Sequence, residues 1–229
     1  MPNNLDNLHV IKDISRPSED LIKELAGLDT ATVHEASGGR GALSSDIKPV
    51  RPEMRVCGSA LTVACRPGDN LMLHKAIYVA KPGDVLVVTV GGYLEAGYWG
   101  EVMTFAARER GISGLVIDGS VRDTRSLIEM SFPAFSKGIS IKGTTKDSLG
   151  LINHPIQIGG VTVHPGDAVL GDGDGVVIVA RQDLAEVIKK SRMRMEKEEA
   201  VMQKIKEGKP LFELVGLDKV LQAKGLKEA

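Results

Sequence analysis

Short runs of β-branched and other apolar residues, separated by turn residues, fill the middle of the chain. Such runs predict strands, at Gly58–Cys65, Asp84–Val90, Gly114–Asp118, Ala134–Ser136, Gly159–Val163 and Val176–Ala180. The triplet Pro-Gly-Asp occurs at 67–69, 82–84 and 165–167. Because proline presets φ and glycine accepts a positive φ, each triplet predicts a tight turn. The flanking sequences do not align at a fixed period, so the triplets do not indicate an internal repeat.

Helical patterns lie nearer the two ends of the chain. Ser18 is a suitable N-cap for a short amphipathic helix that begins at Asp20. A second helix is predicted to begin near Thr30 and to end at the breaker Ser-Gly-Gly of 37–39. A long charged helix over 183–207 contains no tight turn. We expect it to form an arm that packs on the body of the protein or on a neighbouring subunit.

One strand-helix-strand unit is well marked. The strand that ends at Val90 is followed by a glycine-rich loop and then by Glu101–Arg110, which has a helical pattern. Gly111 follows this helix in the C′ position, and the next strand begins at Gly114. A unit of this spacing predicts a parallel pair of strands joined by a right-handed crossover.

Composition excludes several classes of protein. The 229 residues are 42% hydrophobic and 26% charged, as in globular domains. The 29 Lys and Arg balance 30 Asp and Glu, and aromatic residues make up only 3%, so a nucleic-acid binder is not indicated. No apolar run approaches ~18 residues, and Met1–Asp6 lacks the pattern of a secretory signal. We expect a cytoplasmic protein without a membrane partner, in which Cys57 and Cys65 are buried thiols.

The start of the helix at Glu101 is a candidate anion site. Gly100 precedes it, and the backbone amides of Val102 and Met103 have no partner inside the helix. Such amides and the helix dipole favour a carboxylate or a phosphate. The alternative is that the glycines only build a long loop. Neither GxGxxG nor GxxxxGK is present, so the sequence gives no support for nucleotide binding.

A second candidate follows the next strand, where Arg122 and Asp123 are adjacent. Because ligands gather at the carboxyl ends of parallel strands, we expect this pair to converge with Glu101. The guanidinium can bind a carboxylate or neutralise an oxyanion, and the carboxylate can bind a divalent cation. The alternative is that Asp123 only caps a helix over 124–130 while Arg122 pairs at the surface.

A third candidate is Glu198 in the long helix. It falls on a stripe with helical spacing, which comprises Leu184, Ile188, Ser191, Met195, Glu198, Met202 and Ile205. We expect this face to be buried, and a carboxylate there needs a polar partner. The alternative is a salt bridge with Arg192, Arg194 or a neighbouring subunit.

The remaining polar motifs are interpreted as structural. His34 and Glu35 end a helix without ligand spacing, and Gly171–Gly175 predicts a tight hairpin turn rather than a calcium loop. The other histidines with distinct surroundings also lack ligand spacing; they are His74, His154 and His164.

The run Gly100–Met103, then Arg122-Asp123 after twenty residues from Glu101, resembles the D/E-x20-R-D motif of the class II 4-hydroxy-4-methyl-2-oxoglutarate / 4-carboxy-4-hydroxy-2-oxoadipate aldolases. Other similar stretches, at 31–36, 114–119, 165–167 and 197–199, extend the resemblance over roughly residues 25 to 215. The related ribonuclease E activity regulators share the Arg-Asp pair but have Gly in place of Glu101. Many of the aldolases have Asp there.

The resemblance implies a three-layer β/β/α sandwich with sites at the interfaces of a homotrimer or hexamer. It implies a core over 1–182 and a helical arm over 183–229 that belongs to the same domain and to the oligomer interface. Carried over, Asp123 binds Mg²⁺ or Mn²⁺, and Arg122 stabilises the pyruvate enolate. The amides after Gly100, those of Val102 and Met103, bind the pyruvyl carboxylate.

The remaining acids complete the expected site. Glu101 and Glu35 are implied to orient metal-bound water, and Glu198 is our choice for an acid from the neighbouring subunit. The expected reaction is retro-aldol cleavage of a small oxo acid, with oxaloacetate decarboxylation as a side activity. The alternative function is a non-catalytic regulator that binds an RNA-processing enzyme such as ribonuclease E.

Overall fold

The structure, a computed structural model, describes residues 8–227, so the expectation for Met1–Asp6 falls outside it. The strands are β1 Lys48–Pro49, β2 Val56–Ala64, β3 Asp84–Thr89, β4 Gly97–Trp99, β5 Gly114–Val121, β6 Ala134–Ile139, β7 Leu151–Ile152, β8 Ile156–Ile158, β9 Val161–Val163, β10 Ala168–Asp172 and β11 Gly175–Val179. The helices are α1 Glu19–Ala26, α2 Thr30–Ala36, α3 Leu71–Val79, α4 Glu101–Glu109, α5 Thr124–Glu129, α6 Leu184–Lys206, α7 Leu211–Leu214 and α8 Leu217–Ala223.

A mixed sheet forms the centre of the fold. Its strand order is β1-β6-β5-β3-β2-β10-β11, with β4 paired to β5 and β7 paired to β2. The strands β2, β3, β5 and β6 are mutually parallel, whereas β10 is antiparallel to both β2 and β11. The predicted parallel pair is therefore confirmed, with Val85 opposite Gly114.

Alternation along β3 shows how the layers are built. Val85 and Val87 point to one face, where the β8–β9 hairpin packs. Leu86 and Val88 point to the other face and contribute to the same core as apolar side chains of α3, α4 and α5. The expected three-layer β/β/α arrangement is confirmed.

Eight elements were not predicted from the sequence: β1, β4, β7, β8, β10, α3, α7 and α8. The predicted β9 begins too early, because Gly159 and Gly160 adopt positive φ in the turn before it, and the predicted β5 and β6 each end three residues too early. The segment of α3 is almost continuously apolar, so it lacks the polar face that identifies an amphipathic helix. The strand β4 has only three residues inside a glycine-rich loop.

The hairpin predicted at Gly171–Gly175 is confirmed and has a further role. Its Asp172 carboxylate accepts hydrogen bonds from the backbone amide and the hydroxyl of Thr30, at 2.9 and 2.7 Å. Asp29 occupies the N-cap position of α2 but makes no side-chain capping bond there. Asp172 therefore satisfies the start of α2 from a distant part of the chain.

The long helix α6 is buried only over its first two turns. Leu184, Ile188 and Ser191 are buried, as the stripe predicted. Beyond them Met195, Met202 and Ile205 are exposed, and so is Glu198, whose side chain is 46% accessible. The prediction of a buried face is wrong for this second half, because α7 contacts the end of α6 but leaves these side chains exposed. Within residues 8–227, no helix combines the length and the apolar character needed to cross a membrane.

Candidate active site

One cavity of about 200 Å³ brings together six of the predicted site residues. They are Gly100, Glu101, Val102, Met103, Arg122 and Asp123. Two short connections converge there, the step from β4 into α4 and the step from β5 into α5. The strands β4 and β5 pair in parallel, so their carboxyl ends meet at this point. The expected convergence of the two motifs is therefore present.

The start of α4 has free backbone donors. The amide of Thr104 donates to the carbonyl of Gly100 at 3.0 Å, as the first bond of the helix. The amide of Glu101 donates to Oδ2 of Asp123 at 3.1 Å. Between them, the amides of Val102 and Met103 donate to no acceptor in the part of the chain that the structure describes. These two amides and the helix dipole can hold an anion in the cavity.

Two glycines make room for Arg122. A Cβ added at Gly97 would lie 3.0 Å from Cβ of Arg122, and one added at Gly100 would lie 3.1 Å from its Cγ. The backbone amide of Arg122 donates to the carbonyl of Trp99 at 2.8 Å. The buried Trp99 ring stacks on Phe132 with centroids 5.8 Å apart, so this anchor is rigid. The Arg122 guanidinium is thus held at the cavity from a fixed backbone.

Asp123 adopts an unusual backbone conformation. Its φ of 52° and ψ of 39° lie in the left-handed region, which costs a non-glycine residue free energy. It stands at the N-cap position of α5, but its side chain makes no capping hydrogen bond. Instead Oδ2 accepts from Glu101 and lies 3.5 Å from Nε of Arg122. The capping alternative for this side chain is therefore wrong.

The donor set fits a hard cation with few protein ligands. Among residues 8–227 there is no cluster of three His, Cys, Asp or Glu that could enclose a metal ion. Asp123 is partly exposed, and its Oδ1 accepts no hydrogen bond from the described residues. Mg²⁺ commonly uses one or two carboxylates and keeps several waters, whereas a structural zinc site needs four ligands. Asp123 with Glu101 nearby is compatible with a Mg²⁺ site of this kind and not with a structural zinc site.

The cavity also has polar residues that the sequence analysis did not anticipate, Asn70, His74, Thr144 and Lys146. Asn70 is buried; its Nδ2 donates to the carbonyl of Tyr98 at 2.9 Å, and its Oδ1 has no hydrogen-bond partner among residues 8–227. Burial, together with the charge of Lys146, lowers the pKa of His74. The only sequence signal was the spacing of Asn70 and His74, which places them one helical turn apart once α3 is known.

The two remaining predicted residues lie elsewhere in this chain. Nη2 of Arg194 lies 2.5 Å from Oε2 of Glu35 and 2.8 Å from Oε1 of Glu198. The salt-bridge alternative for Glu198 is therefore observed. Neither glutamate lines the cavity that contains Asp123. Their expected roles in the site stay predictions, and they require a second copy of the chain.

Comparisons with known proteins agree with this fold. The family model RraA-like, described as Aldolase/RraA, matches residues 30–178. The chain is 36% identical over 187 residues to the "Putative 4-hydroxy-4-methyl-2-oxoglutarate aldolase" of Halalkalibacterium halodurans, which covers 82% of this chain and 89% of that protein.

Solved structures give the same result. A protein from Pseudomonas syringae pv. tomato superimposes with a TM-score of 0.76 at 30% identity, covering 88% of this chain and 99% of that one. The RNA-processing inhibitor RraA from Thermus thermophilis superimposes with a TM-score of 0.61 at 28% identity, covering 66% of this chain and 92% of that one. The sandwich fold expected from the sequence is that of these proteins. The chain belongs to the RraA-like family of Aldolase/RraA proteins.

Proposed function

We propose that this protein is a divalent-metal-dependent pyruvate aldolase. Its substrates would be 4-hydroxy-2-oxo acids such as 4-hydroxy-4-methyl-2-oxoglutarate or 4-carboxy-4-hydroxy-2-oxoadipate. The observation that carries the proposal is the content of one cavity: two free amides at the start of α4, the Arg122 guanidinium and the Asp123 carboxylate. The similarity to the protein of Halalkalibacterium halodurans named "Putative 4-hydroxy-4-methyl-2-oxoglutarate aldolase" supports the same activity.

Each residue of the cavity has a separate role in the proposed retro-aldol cleavage. The C3–C4 bond of the substrate breaks and its electron pair passes into the enolate of pyruvate, while the 4-hydroxyl loses its proton and becomes a carbonyl. The amides of Val102 and Met103 bind the pyruvyl carboxylate, and Arg122 stabilises the developing enolate oxygen. Mg²⁺ or Mn²⁺, when bound, supplies a Lewis acid for the 2-oxo group. Asp123 would hold the ion.

The proton of the 4-hydroxyl needs an acceptor. Glu101 is exposed at the mouth of the cavity and can orient a water that accepts this proton. In a homotrimer or hexamer, Glu35 and Glu198 would approach the site from a neighbouring subunit and add carboxylates to the same task. The same enolate forms when oxaloacetate loses CO₂, so oxaloacetate decarboxylation belongs to the proposed activity.

A second candidate function is regulation of an RNA-processing enzyme. The similarity to RraA of Thermus thermophilis, an RNA-processing inhibitor, supports it. Glu101 distinguishes the two hypotheses, since the resemblance places Gly at this position in the regulators. A carboxylate at the cavity favours the aldolase, because a protein that only binds a partner has no use for a proton acceptor there.

Pyruvate release tests the proposal. The purified protein is assayed with a panel of 4-hydroxy-2-oxo acids and oxaloacetate, with Mg²⁺ or Mn²⁺ and then with EDTA. We expect release that EDTA abolishes and added metal restores, and we expect Asp123→Ala to abolish it. Asp13→Ala, which removes an exposed carboxylate outside the cavity, is the matched control. Release that survives EDTA, or that survives in Asp123→Ala, would contradict the proposal.

A further inference from the structure

The carboxylate of Asp69 joins two segments that form one side of the cavity. Asp69 is 1% exposed and ends the first Pro-Gly-Asp turn. Its Oδ1 accepts from the amide of Leu71 at 2.8 Å. Its Oδ2 accepts from the hydroxyl of Thr145 at 3.0 Å and from the amides of Asp147 and Ser148 at 2.6 and 3.0 Å. One buried group therefore fixes the start of α3 and the segment 145–148 together.

Both segments supply cavity residues. The segment that begins at Gly143 places Thr144 and Lys146 at the cavity, and α3 places Asn70 and His74 there. The backbones are also paired, because the amide of Asn70 donates to the carbonyl of Thr145 at 3.1 Å. The position of this wall thus depends on hydrogen bonds that converge on Asp69.

The chemistry of the wall suits a second anionic group. Lys146 adds an ammonium with three donors to a cavity that already contains the Arg122 guanidinium. The buried Oδ1 of Asn70 without a partner and the imidazole of His74 can accept or donate hydrogen bonds beside it. A ligand with a single carboxylate, held by the α4 amides and Arg122, would leave Lys146 unpaired. A ligand with two carboxylates would engage both cations.

The other two Pro-Gly-Asp turns show that this role is particular to Asp69. Asp167 accepts from the amides of His164 and Arg181, at 2.8 and 3.1 Å. Asp84 accepts from the amide of Lys81 at 2.8 Å and forms a salt bridge with Arg16. None of these bonds holds a segment of the cavity described above. The turn alone therefore does not require the bonds that Asp69 makes to 145–148.

Asp69 is ionised in this environment. Burial raises the pKa of its carboxyl group, but the hydrogen bonds from Asp147, Leu71, Thr145 and Ser148 outweigh that effect and hold the pKa below its ordinary value. A carboxylate can accept all four bonds, whereas an amide presents an NH₂ group to donors on one side.

We propose that Asp69 is a positioning residue that fixes Lys146 in the cavity wall, where Lys146 binds the second carboxylate of an oxo diacid. This inference rests on the proposed function and deepens it, since it assigns the residues that bind and position the second carboxylate of the proposed substrates. Asp69 acts through the segment 145–148 and does not itself touch the substrate.

Substrate preference in Asp69→Asn tests the proposal. The pair of substrates is 4-hydroxy-4-methyl-2-oxoglutarate, a diacid, and 4-hydroxy-2-oxopentanoate, a monoacid. We expect KM for the diacid to rise about tenfold, the scale of one lost charge-assisted hydrogen bond, while KM for the monoacid and both kcat values stay within about twofold. Hydrogen exchange at the amides of Asp147 and Ser148 should accelerate. Asp167→Asn alters the equivalent carboxylate of another Pro-Gly-Asp turn. It should change neither the ratio of the two KM values nor hydrogen exchange at the amides of Asp147 and Ser148.

A double variant separates positioning from general damage. If Asp69 acts through Lys146, then Asp69→Asn should not change the diacid-to-monoacid ratio further in a Lys146→Met background. An equal rise of KM for both substrates, or additive effects in the double variant, would overturn the proposal. If Asp69→Asn does not fold, Thr145→Val removes one of the four bonds. The same ratio must then shift in that variant, and an unchanged ratio overturns the proposal.

Binding without turnover distinguishes this inference from the proposed function. Calorimetry compares 2-oxoglutarate with 2-oxobutyrate on the wild type, Asp69→Asn and Lys146→Met. A diacid preference that both variants lose, in a protein that releases no pyruvate, would contradict the aldolase and uphold the second-carboxylate site. Pyruvate release from a wild type without diacid preference would uphold the aldolase and overturn the site.

Discussion

The carboxylate of Asp123 occupies the space that a side chain at Gly100 would need. A Cβ added at Gly100 would lie 2.3 Å from Oδ2 of Asp123, well inside contact distance. The two residues come from different connections, Gly100 before α4 and Asp123 before α5. Their close approach lets Oδ2 accept from the amide of Glu101 and brings the proposed metal ligand to the free amides of α4.

Gly100→Ala should therefore inactivate the protein without unfolding it. The added methyl group would push the Asp123 carboxylate away from the start of α4, and a displacement of about 1 Å can lower the rate about 100-fold. We expect pyruvate release to fall by that order while circular dichroism and the melting temperature change little. Gly27→Ala is the control, because φ there is −81° and a Cβ would meet only the carbonyl oxygen of Glu24, at an ordinary contact distance of 3.6 Å. Near-wild-type release by Gly100→Ala would contradict the position assigned to Asp123.

Arg122→Lys should also lose most activity. A lysine keeps the positive charge but cannot reproduce the planar pair of donors that a guanidinium offers to a carboxylate or enolate. We expect kcat/KM to fall about 100-fold or more, the cost of one lost oxyanion donor. Arg125→Lys is a matched control, since Arg125 is exposed and, in the described part of the chain, forms a salt bridge only with Glu129 in the next turn of α5. A kcat within a few-fold of the wild type would exclude the proposed role of Arg122.

The central strands and the paired motifs could be predicted because they depend on local pattern. The run Asp84–Val90 is apolar, and Gly111 ends the following helix, so the sequence alone places Glu101 and Arg122 at neighbouring strand ends. The fold brings both to one cavity, as expected. Strand period, helix capping and the convergence of parallel strand ends were enough to predict this part of the site, although β4, which leads into α4, was not predicted.

The other wall of the cavity could not be predicted, since no pattern connects its residues along the chain. His74 and Lys146 are 72 positions apart, and the segment of Lys146 is held by hydrogen bonds that the amides of Asp147 and Ser148 donate to Asp69. The sequence of a turn does not show which distant amides will donate hydrogen bonds to its buried aspartate. The prediction for the second half of α6 was wrong for a similar reason. Helical spacing identifies a stripe of residues, but it does not show whether another element covers Glu198.

Asp172→Asn should destabilise the fold in a pH-dependent way. Burial raises the pKa of Asp172, but hydrogen bonds from Thr30 and Asp174, with the charge of Arg55, outweigh it and keep the pKa below its ordinary value of 3.8. Loss of this distant cap should lower the free energy of unfolding by about 1–2 kcal/mol at pH 7.

The lowered pKa of Asp172 determines how the stabilisation changes with pH. The stabilisation by the charged carboxylate is complete above the unfolded-state pKa and is lost as the pH falls through the folded-state value. Urea unfolding of the wild type and of Asp172→Asn should therefore converge as the pH falls below 3.8, the ordinary value for this carboxyl group. Asp174→Asn, in the same turn but exposed, should differ little from the wild type. If the difference in unfolding free energy between the two proteins stayed constant across the pH range, the charged carboxylate of Asp172 would be excluded as its cause.

Glu198 should act in the active site of a neighbouring subunit. Glu198 lies on the exposed half of α6 and is paired with Arg194, which also contacts Glu35. Since neither glutamate reaches the cavity in this chain, a catalytic role requires that a second copy bring them to it. Glu198→Gln preserves shape and removes charge, so we expect the oligomer in sedimentation to persist while pyruvate release falls about tenfold, within the range of general acid–base effects.

Glu199→Gln is the control, because adjacent residues of a helix point about 100° apart. It should leave both sedimentation and pyruvate release unchanged. If Glu199→Gln is damaging and Glu198→Gln is silent, the helical phase assigned to the site is wrong. If both are silent, the acid from the neighbouring subunit is not part of the reaction, and the Arg194 cluster only joins α2 to α6. Glu35→Gln then tests the other glutamate, since it removes the salt bridge between Arg194 and α2 without altering α6.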